Sequence, residues 1–424
     1  MKRMARRKKP QVAPSDGTDH FTALPLELRA RIASLLPFRE VVQLSSLSWP
    51  WRDIHIHHHT PVVELNLDEF LVLQQYNFDP EHSLPGIIDD DAILGLRVAL
   101  FRRARDPAAS KVDTLILHYD VGDPRMARHA DRIVSLADAR KVRITISYDL
   151  SSQNPSRPRQ VTWTLDLPPA ARRLDITGKH HIFNLAPAIA GPGVAALQKL
   201  CLHRMAIRGW PPCLPSLRSL TLKYVAIEAP FKPGEWCPLL EDLCISSSGI
   251  EHTCVDISLP LLKSLDMDDV DVSERSEFFE SYGDITIDAP NMETMAVDCT
   301  VGGTTDYLSF TLLAPRLRYL YWRNQYVLQR VRIKVGSPSN VIAGTIVFEA
   351  NAEIAYPEIK YYKVLMMRML EELLPELSPE SVAIAARPYM TLEKYTVEGC
   401  GSGEMIPDER LTCNLEALMS SLKI

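Results

Sequence analysis

From Leu24 the chain reads LPLELRARIASLLPFREVVQLSSLSWPWRDI, which sets Leu28, Ile32, Leu35 and Leu36 at i, i+4, i+7 and i+8 on one helical face. Pro25 and Glu27 suit the first turn of that helix, and Pro37 stops it. A second helix carries Val41, Leu44 and Leu47 on one side. A third short segment starts at Ser48 as N-cap, with Trp51 in its first turn. Three helices in about thirty residues enclose a core too small to stand alone, so this unit is expected to lean on a partner or on the rest of the chain.

Further on, the pattern changes from helical to alternating. Five segments share one text: Pro215-x-Leu217-x-x-Leu220-x-Leu222, Pro238-x-Leu240-x-x-Leu243-x-Ile245, Pro260-x-Leu262-x-x-Leu265-x-Met267, Pro290-x-Met292-x-x-Met295-x-Val297 and Pro315-x-Leu317-x-x-Leu320-x-Trp322. The prolines are 23, 22, 30 and 25 residues apart, a period that belongs to stacked repeats. In each block the closing pair, such as Leu220 and Leu222, is expected to face inward from a short strand. The proline sits ahead of the strand, where its missing N–H costs no ladder bond. Looser copies occur at Leu197-x-x-Leu200-x-Leu202, Leu174-x-Ile176, Ile144-x-Ile146 and Leu115-x-Leu117.

Two helices are expected among these early blocks. One runs from Ala92 to Arg105, with Asp89, Asp90 and Asp91 before it and Arg102, Arg103 and Arg105 at its end, as the helix dipole favours. The other runs from Arg125 to Arg140. The last ninety or so residues offer strand-like text at Asn340 to Phe348 and an amphipathic helix near Lys360 to Leu374.

The 424 residues are 46% hydrophobic and 24% charged, which suits a folded chain. Proline outnumbers glycine 31 to 18, a reversal of the usual order that the proline-led repeats explain. Lys2, Arg3, Arg6, Arg7, Lys8 and Lys9 form a basic run that reads either as a nuclear import signal or as a solvated tail. From residue 10 onward 41 basic residues face 53 acidic ones, so the body is not expected to bind nucleic acid. No apolar stretch reaches the length of a membrane span, and the start of the chain lacks the apolar segment of a secretory signal. The eight cysteines contain no C-x-x-C pair and read as reduced thiols. Together these features point to the nucleus or cytoplasm.

The residues Leu24-Pro25-x-Glu27-Leu28, Ile32, Leu35-Leu36-Pro37, Val41-Val42, Leu44-Ser45, Leu47-Ser48 and Trp51-Arg52 resemble the F-box motif almost position by position. An F-box followed by irregular, proline-led repeats is similar to the plant F-box/leucine-rich-repeat family. The resemblance spans about residues 21–335 and implies an α/β chain with a three-helix F-box (21–58), a linker and helical region (59–110) and an irregular leucine-rich-repeat solenoid (111–335); composition gives a disordered basic tail (1–20), and residues 336–424, outside the resemblance, read as a C-terminal cap. It also implies a substrate receptor of an SCF-type (cullin-RING) ubiquitin ligase, docked onto a Skp-type adaptor and through it a cullin, with a protein substrate on the repeats. A non-ligase scaffold or decoy is the alternative. The adaptor-facing residues carried over are Leu24, Pro25, Leu28, Ile32, Leu35, Leu36, Val41, Leu44, Leu47 and Trp51. Trp49-Pro50 departs from the basic or polar residues usual before that tryptophan.

If the inward pairs are core, the residues between and beside them line a concave face: Lys199, Cys201, His203; Ser219, Thr221, Lys223; Asp242, Cys244, Ser246; Ser264, Asp266, Asp268; Thr294, Ala296, Asp298; Tyr319, Tyr321, Arg323. Asp242, Asp266, Asp268 and Asp298 suit a basic segment. Tyr319, Tyr321 and Arg323 are types enriched where partners bind. The far side is expected to be irregular, because Val225 and Val270 stand where regular repeats have Asn or Cys.

His55, His57, His58 and His59 lack a neighbouring Cys, Asp or Glu to complete a metal set, so neither a metal nor a cofactor is expected. Phosphate-binding, dinucleotide, zincin and serine-hydrolase motifs are absent, and Gly399, Gly401 and Gly403 read as a loop. The chain is therefore read as a binding protein whose catalysis lies in its partners.

Overall fold

The computed structural model describes residues 23–47, 49–52, 54, 61–72, 87–107, 109–148, 161–179, 185–211, 213–252, 254–275, 280–282, 284–299, 309–324, 330–335, 343–348 and 390–393. The chain begins there with helices α1 (Leu26–Ala33) and α2 (Phe38–Leu47) and a 3-10 turn at Trp49–Trp51. Then come β1 (Val62–Asn66), a 3-10 turn over Leu67–Phe70, β2 (Leu71–Val72), β3 (Ile87–Ile88), α3 (Asp90–Arg105), β4 (Thr114–Asp120), α4 (Pro124–Ala137) and β5 (Lys141–Ser147). The middle holds β6 (Val161–Asp166), β7 (Arg173–Gly178), β8 (Leu185–Ala190), β9 (Lys199–Ile207), β10 (Ser219–Ile227), the one-turn helix α5 (Pro233–Trp236), β11 (Asp242–Ile250) and β12 (Cys254–Ser258). Last come β13 (Ser264–Arg275), β14 (Glu280–Tyr282), β15 (Asp284–Asp288), β16 (Thr294–Cys299), β17 (Ser309–Ala314), β18 (Tyr319–Asn324), β19 (Arg330–Val335), β20 (Ala343–Phe348) and β21 (Met390–Glu393).

The chain is α/β, with a mostly parallel main sheet, few helices and no closed barrel. Twelve strands lie in the order β1-β4-β5-β7-β9-β10-β11-β13-β16-β18-β20-β21, and β14 adds antiparallel to the end of β13. A second parallel sheet, β12-β15-β17-β19, takes one strand between each successive pair of main-sheet strands from β11 to β20. No helix among the described residues is long and apolar enough to cross a membrane.

The proline-led text explains why the strands register. Each proline takes the second position of a hydrogen-bonded turn, closed by Leu217 N–H to Leu214 O (3.1 Å), Leu240 to Cys237 (3.1 Å), Leu262 to Leu259 (3.2 Å), Met292 to Ala289 (3.0 Å) and Leu317 to Ala314 (3.1 Å). Proline's fixed φ suits that position, and its missing N–H is not needed there. Just after each turn, one carbonyl of the preceding coil accepts two successive N–H groups. Arg218 O, for example, takes Glu241 and Asp242, and Glu241 O takes Lys263 and Ser264. The same bond geometry thus starts each strand at the same height. The inward pairs Leu200/Leu202, Leu220/Leu222, Leu243/Ile245, Leu265/Met267 and Met295/Val297 are all buried in one continuous core.

Four features differ from the sequence expectation. The main sheet starts at β1, inside the region read as a linker; Val62-Val63-Glu64-Leu65 is one alternation far from the repeat text, and Pro61 stands directly before it instead of at the spacing of the repeat. It also continues past residue 335, since β20 pairs with β18 and β21 with β20. The far side, expected to be irregular, carries the second sheet. Its strands are the alternations immediately before the prolines, Val255-x-Ile257, Ile285-x-Ile287 and Phe310-x-Leu312, all buried.

The fourth difference is strand length. Strands β9, β10 and β11 run nine residues each rather than stopping at the Leu-x-Leu pair. Arg204, Tyr224, Ser247 and Asp269 have φ of 60°, 54°, 47° and 52°, left-handed values uncommon for residues other than glycine. Each supplies a second successive outward residue, after which Met205, Val225, Ser248 and Val270 turn inward again. All four strands insert the extra residue at the same place, so the ladder keeps its register instead of breaking as at a lone bulge. Ser248 is polar at this buried position. Its hydroxyl accepts from Val225 N–H (3.0 Å) and donates to Ser246 O (2.8 Å), so it is satisfied.

The helices fall close to their expected places. Asp89 caps α3 by accepting from Ala92 N–H (3.0 Å), with Asp90 and Asp91 in the first turn and Arg102, Arg103 and Arg105 in the last. Helix α4 starts with Pro124 behind the Asp123 cap. It stops at Ala137, short of the expected Arg140, because Asp138 turns left-handed at φ 42°. The amphipathic helix expected near Lys360 to Leu374, the basic run at residues 2–9, the histidines at 55 and 57–59 and the glycines at 399, 401 and 403 lie outside the described residues.

Candidate functional site

Two surfaces collect the candidate residues. The first is on the N-terminal helices, where Ala33, Val41, Trp51 and Ile54 form a small closed core and Leu24, Ala30, Ile32, Leu36 and Leu44 pack half-buried against it. Val41 and Trp51, which the resemblance puts in the adaptor-facing set, are fully buried: they hold the helices together and offer no face of their own. Pro25 is exposed, and the Leu47 side chain lies outside the described residues. What remains at the surface is apolar, with Leu28 47% and Leu35 80% exposed, joined by Leu26 at 44%, which the sequence reading did not single out.

The opposite side of this unit is fixed to the body. Phe38 is buried in the main core with Val42 against it. Its ring lies 5.8 Å from the Arg103 guanidinium, which donates from Nε to Ser110 O at 2.8 Å. Arg39 pairs with Glu69 and lies 4.8 Å over the Phe70 ring. Contacts of α2 with both α3 and β1 join the helical unit to the first strand of the sheet. The exposed leucines therefore sit on a mount continuous with the sheet.

The second surface is the outer face of the main sheet, where the register aligns the candidates in rows. One row runs Lys141, Arg173, Lys199, Ser219, Asp242, Ser264, Thr294, Tyr319. The next runs Arg143, Asp175, Cys201, Thr221, Cys244, Asp266, Ala296, Tyr321, and the third Thr145, Thr177, His203, Lys223, Ser246, Asp268, Asp298, Arg323. All seven residues proposed from sequence for this face thus share three adjacent rows. Tyr319 is 45% exposed, and the Tyr321 hydroxyl donates to Asp298 Oδ2 at 3.2 Å. Ser246 Oγ donates to Asp268 Oδ2 (2.9 Å) and the Cys244 thiol to Asp266 Oδ2 (3.6 Å).

The sequence reading missed a fourth row, Arg204, Tyr224, Ser247 and Asp269, which the left-handed residues create. Tyr224 packs with His203 (ring centroids 5.5 Å apart), and the Arg204 guanidinium lies 5.8 Å from the Tyr224 ring. The signal was there: two polar residues in succession, as in Met267-Asp268-Asp269-Val270, break strict alternation at the same point in each block. Burial, then the charges of Asp268, Asp271 and Asp298, raises the Asp269 carboxyl above the usual range.

Two thiols lie on this face. Burial and then Asp266 push the Cys244 thiol up to about 11, and burial with Asp175 raises Cys201, so both stay protonated at neutral pH. Among the described residues no group of three or more His, Cys, Asp or Glu side chains could hold a metal ion. At the strand entries, Glu241 bridges Arg218 and Lys263, with Lys263 Nζ at 2.6 Å. Those two partners hold its carboxyl below the usual range. Comparison with family models, with curated proteins and with solved structures finds no match to this chain.

Proposed function

We propose that this protein is the substrate-receptor subunit of an SCF-type ubiquitin ligase, with its N-terminal helices an F-box that docks a Skp-type adaptor and its repeats an irregular leucine-rich-repeat solenoid that binds a protein substrate. The observation that carries the reading is the exposure of Leu26, Leu28 and Leu35 on a helical unit whose other side is locked to the sheet. Large apolar side chains grouped at a surface mark a docking site. A rigid link between the docking helices and the sheet also fits a receptor that works by position, holding one protein at a set distance from another.

On this reading the outer face of the main sheet receives the substrate. Asp242, Asp266, Asp268 and Asp298 meet a basic segment, and Tyr319 and Tyr321 anchor an apolar side chain beside it. The ligase chemistry belongs to the partners.

Co-expression with a Skp-type adaptor, followed by size-exclusion chromatography, tests the docking half. Wild type should co-elute with the adaptor. Leu28→Asp and Leu35→Asp should not, while melting at the wild-type temperature. Failure of the wild type to co-elute would overturn the reading.

A further inference from the structure

The charge of the outer face changes sign between β10 and β11. Strands β5, β7, β9 and β10 bring Lys141, Arg143, Arg173, Lys199, Arg204 and Lys223 to it, and Asp175 is shared by Arg173 Nε (2.9 Å) and Arg143 Nε (3.6 Å). Strands β11, β13 and β16 bring Asp242, Asp266, Asp268, Asp269 and Asp298, with no lysine or arginine in Asp242–Ile250, in 264–272 or in Thr294–Cys299. The change falls between β10 and β11 in three rows: Lys199 and Ser219 give way to Asp242, Lys223 to Ser246 and Asp268, and Arg204 and Tyr224 to Ser247 and Asp269.

This arrangement works against the fold on the acidic side. Asp268 and Asp298 are direct register partners on adjacent strands, where like charges destabilise a sheet. Burial raises the Asp269 carboxyl first, and the charges of Asp268, Asp271 and Asp298 add to it. The donors to Asp266 and Asp268 are a thiol and a hydroxyl, which orient these carboxylates and carry no charge. Interspersing the two signs would avoid the repulsion, yet the six cations lie on one side of the boundary, with Asp175 alone among them, and the other five carboxylates lie on the other. Sorted charge fits a partner sorted the other way.

We infer that the face binds a linear polypeptide segment of bipolar charge, an acidic block lying over β7 to β10 and a basic block over β11 to β16. This deepens the substrate-receptor reading and rests on it only in taking this face as the substrate side. Geometry sets the spacing. Adjacent strands are about 4.8 Å apart, so the β10 and β13 columns are separated by about 10 Å, or about three residues of extended chain. The Lys199 and Asp298 columns are about 19 Å apart, or about six residues. The segment therefore changes sign over about three residues and has block centres, over β9 and β13, about four residues apart.

Fluorescence anisotropy on the purified full chain tests this with four labelled peptides: a glutamate block, a Gly-Ser-Gly spacer and a lysine block; the same composition with signs alternating; lysines alone; and glutamates alone. The blocked peptide should bind about tenfold or more tightly than the alternating one, an advantage that salt removes. Lys199→Glu with Lys223→Glu should abolish the advantage while strengthening binding of the lysine peptide. Asp266→Lys with Asp268→Lys should do so while strengthening binding of the glutamate peptide. Equal affinity for blocked and alternating peptides would overturn the inference. So would lysines alone binding as tightly as the blocked peptide, an outcome that leaves the basic-segment reading intact. Neither result alters adaptor co-elution, so the two failures are distinguishable.

Discussion

In the body, inward leucines such as Leu200, Leu220, Leu222 and Leu265 are fully buried, because each coil covers the one before it. On α1, an eight-residue helix, Leu26 and Leu28 face outward, as does Leu35 just beyond it, while the core beneath holds four buried residues among those described. The same residue type is thus covered in one region and left exposed in the other. A stacked array closes its own apolar surface at every step, whereas a unit of this size cannot cover both of its sides. The body covers its own inward leucines, and the helices leave large apolar side chains exposed.

The sharpest test of that contrast is the same substitution in both regions. Leu222→Asp puts a charge at a fully buried position between coils, and the folded, soluble protein should be lost. Leu35→Asp changes a side chain already 80% exposed, and its thermal melt should match wild type within about 0.5 kcal/mol. A comparable loss in both would mean that the exposed leucines are structural. Trp51→Ala should fall between these. It removes the largest side chain of the small core and should cost that unit about 3–5 kcal/mol. Limited proteolysis should then cut within residues 23–54 while the sheet stays protected and melts near the wild-type temperature.

Much of this division could be read from the residue order, for reasons that differ by region. The proline-led blocks identify strands and inward pairs directly, since one turn chemistry recurs with an alternating pair at a fixed offset. The rows of the outer face follow from that alternation alone, which is why Asp242, Asp266, Asp268, Asp298, Tyr319 and Tyr321 fall on adjacent rows. What escaped depends on departures from period two. A left-handed residue leaves no composition mark when the chain uses Arg, Tyr, Ser and Asp there rather than Gly, so Asp269 and its row went unseen. The second sheet was hidden because Val255-x-Ile257 and its counterparts are short and end at the turn, with the stronger repeat pattern on the turn's far side. Among the helices, periodicity shows which residues share a face but not which face the body covers. Val41 and Trp51 were therefore grouped with residues that stay outside.

A smaller effect tests whether the repeat turn carries stability in its own right. Pro260 fills the second position of the turn closed by Leu262 N–H to Leu259 O, and Pro260→Ala should lower stability by about 0.4–1 kcal/mol. The loss comes from a freer unfolded chain, so the sheet should form as before. Denaturant melts should show a shifted midpoint with an unchanged slope. A changed slope would mean that the coil itself had come apart.

The smallest effect separates the two halves of the outer face. The Asp269 carboxyl is raised by burial and by Asp268, Asp271 and Asp298, so the folded chain holds its proton more tightly than the unfolded chain does. The sign follows from linkage: stability falls as pH rises from the unfolded carboxylate range through the raised folded value, and the cost is present in full above it. Asn tolerates the left-handed backbone found here at φ 52°. Asp269→Asn should therefore gain up to about 1 kcal/mol at neutral pH, reduced by solvent screening at a site that is only partly covered. The gain should vanish as the pH drops into the range where free aspartate protonates. Lys223→Met removes a cation from the other side of the boundary and should produce no such pH-dependent gain. If Asp269→Asn and wild type melt alike across the whole pH range, the carboxylates of β13 and β16 do not repel one another enough to matter, and the sorted charge would cost the fold nothing.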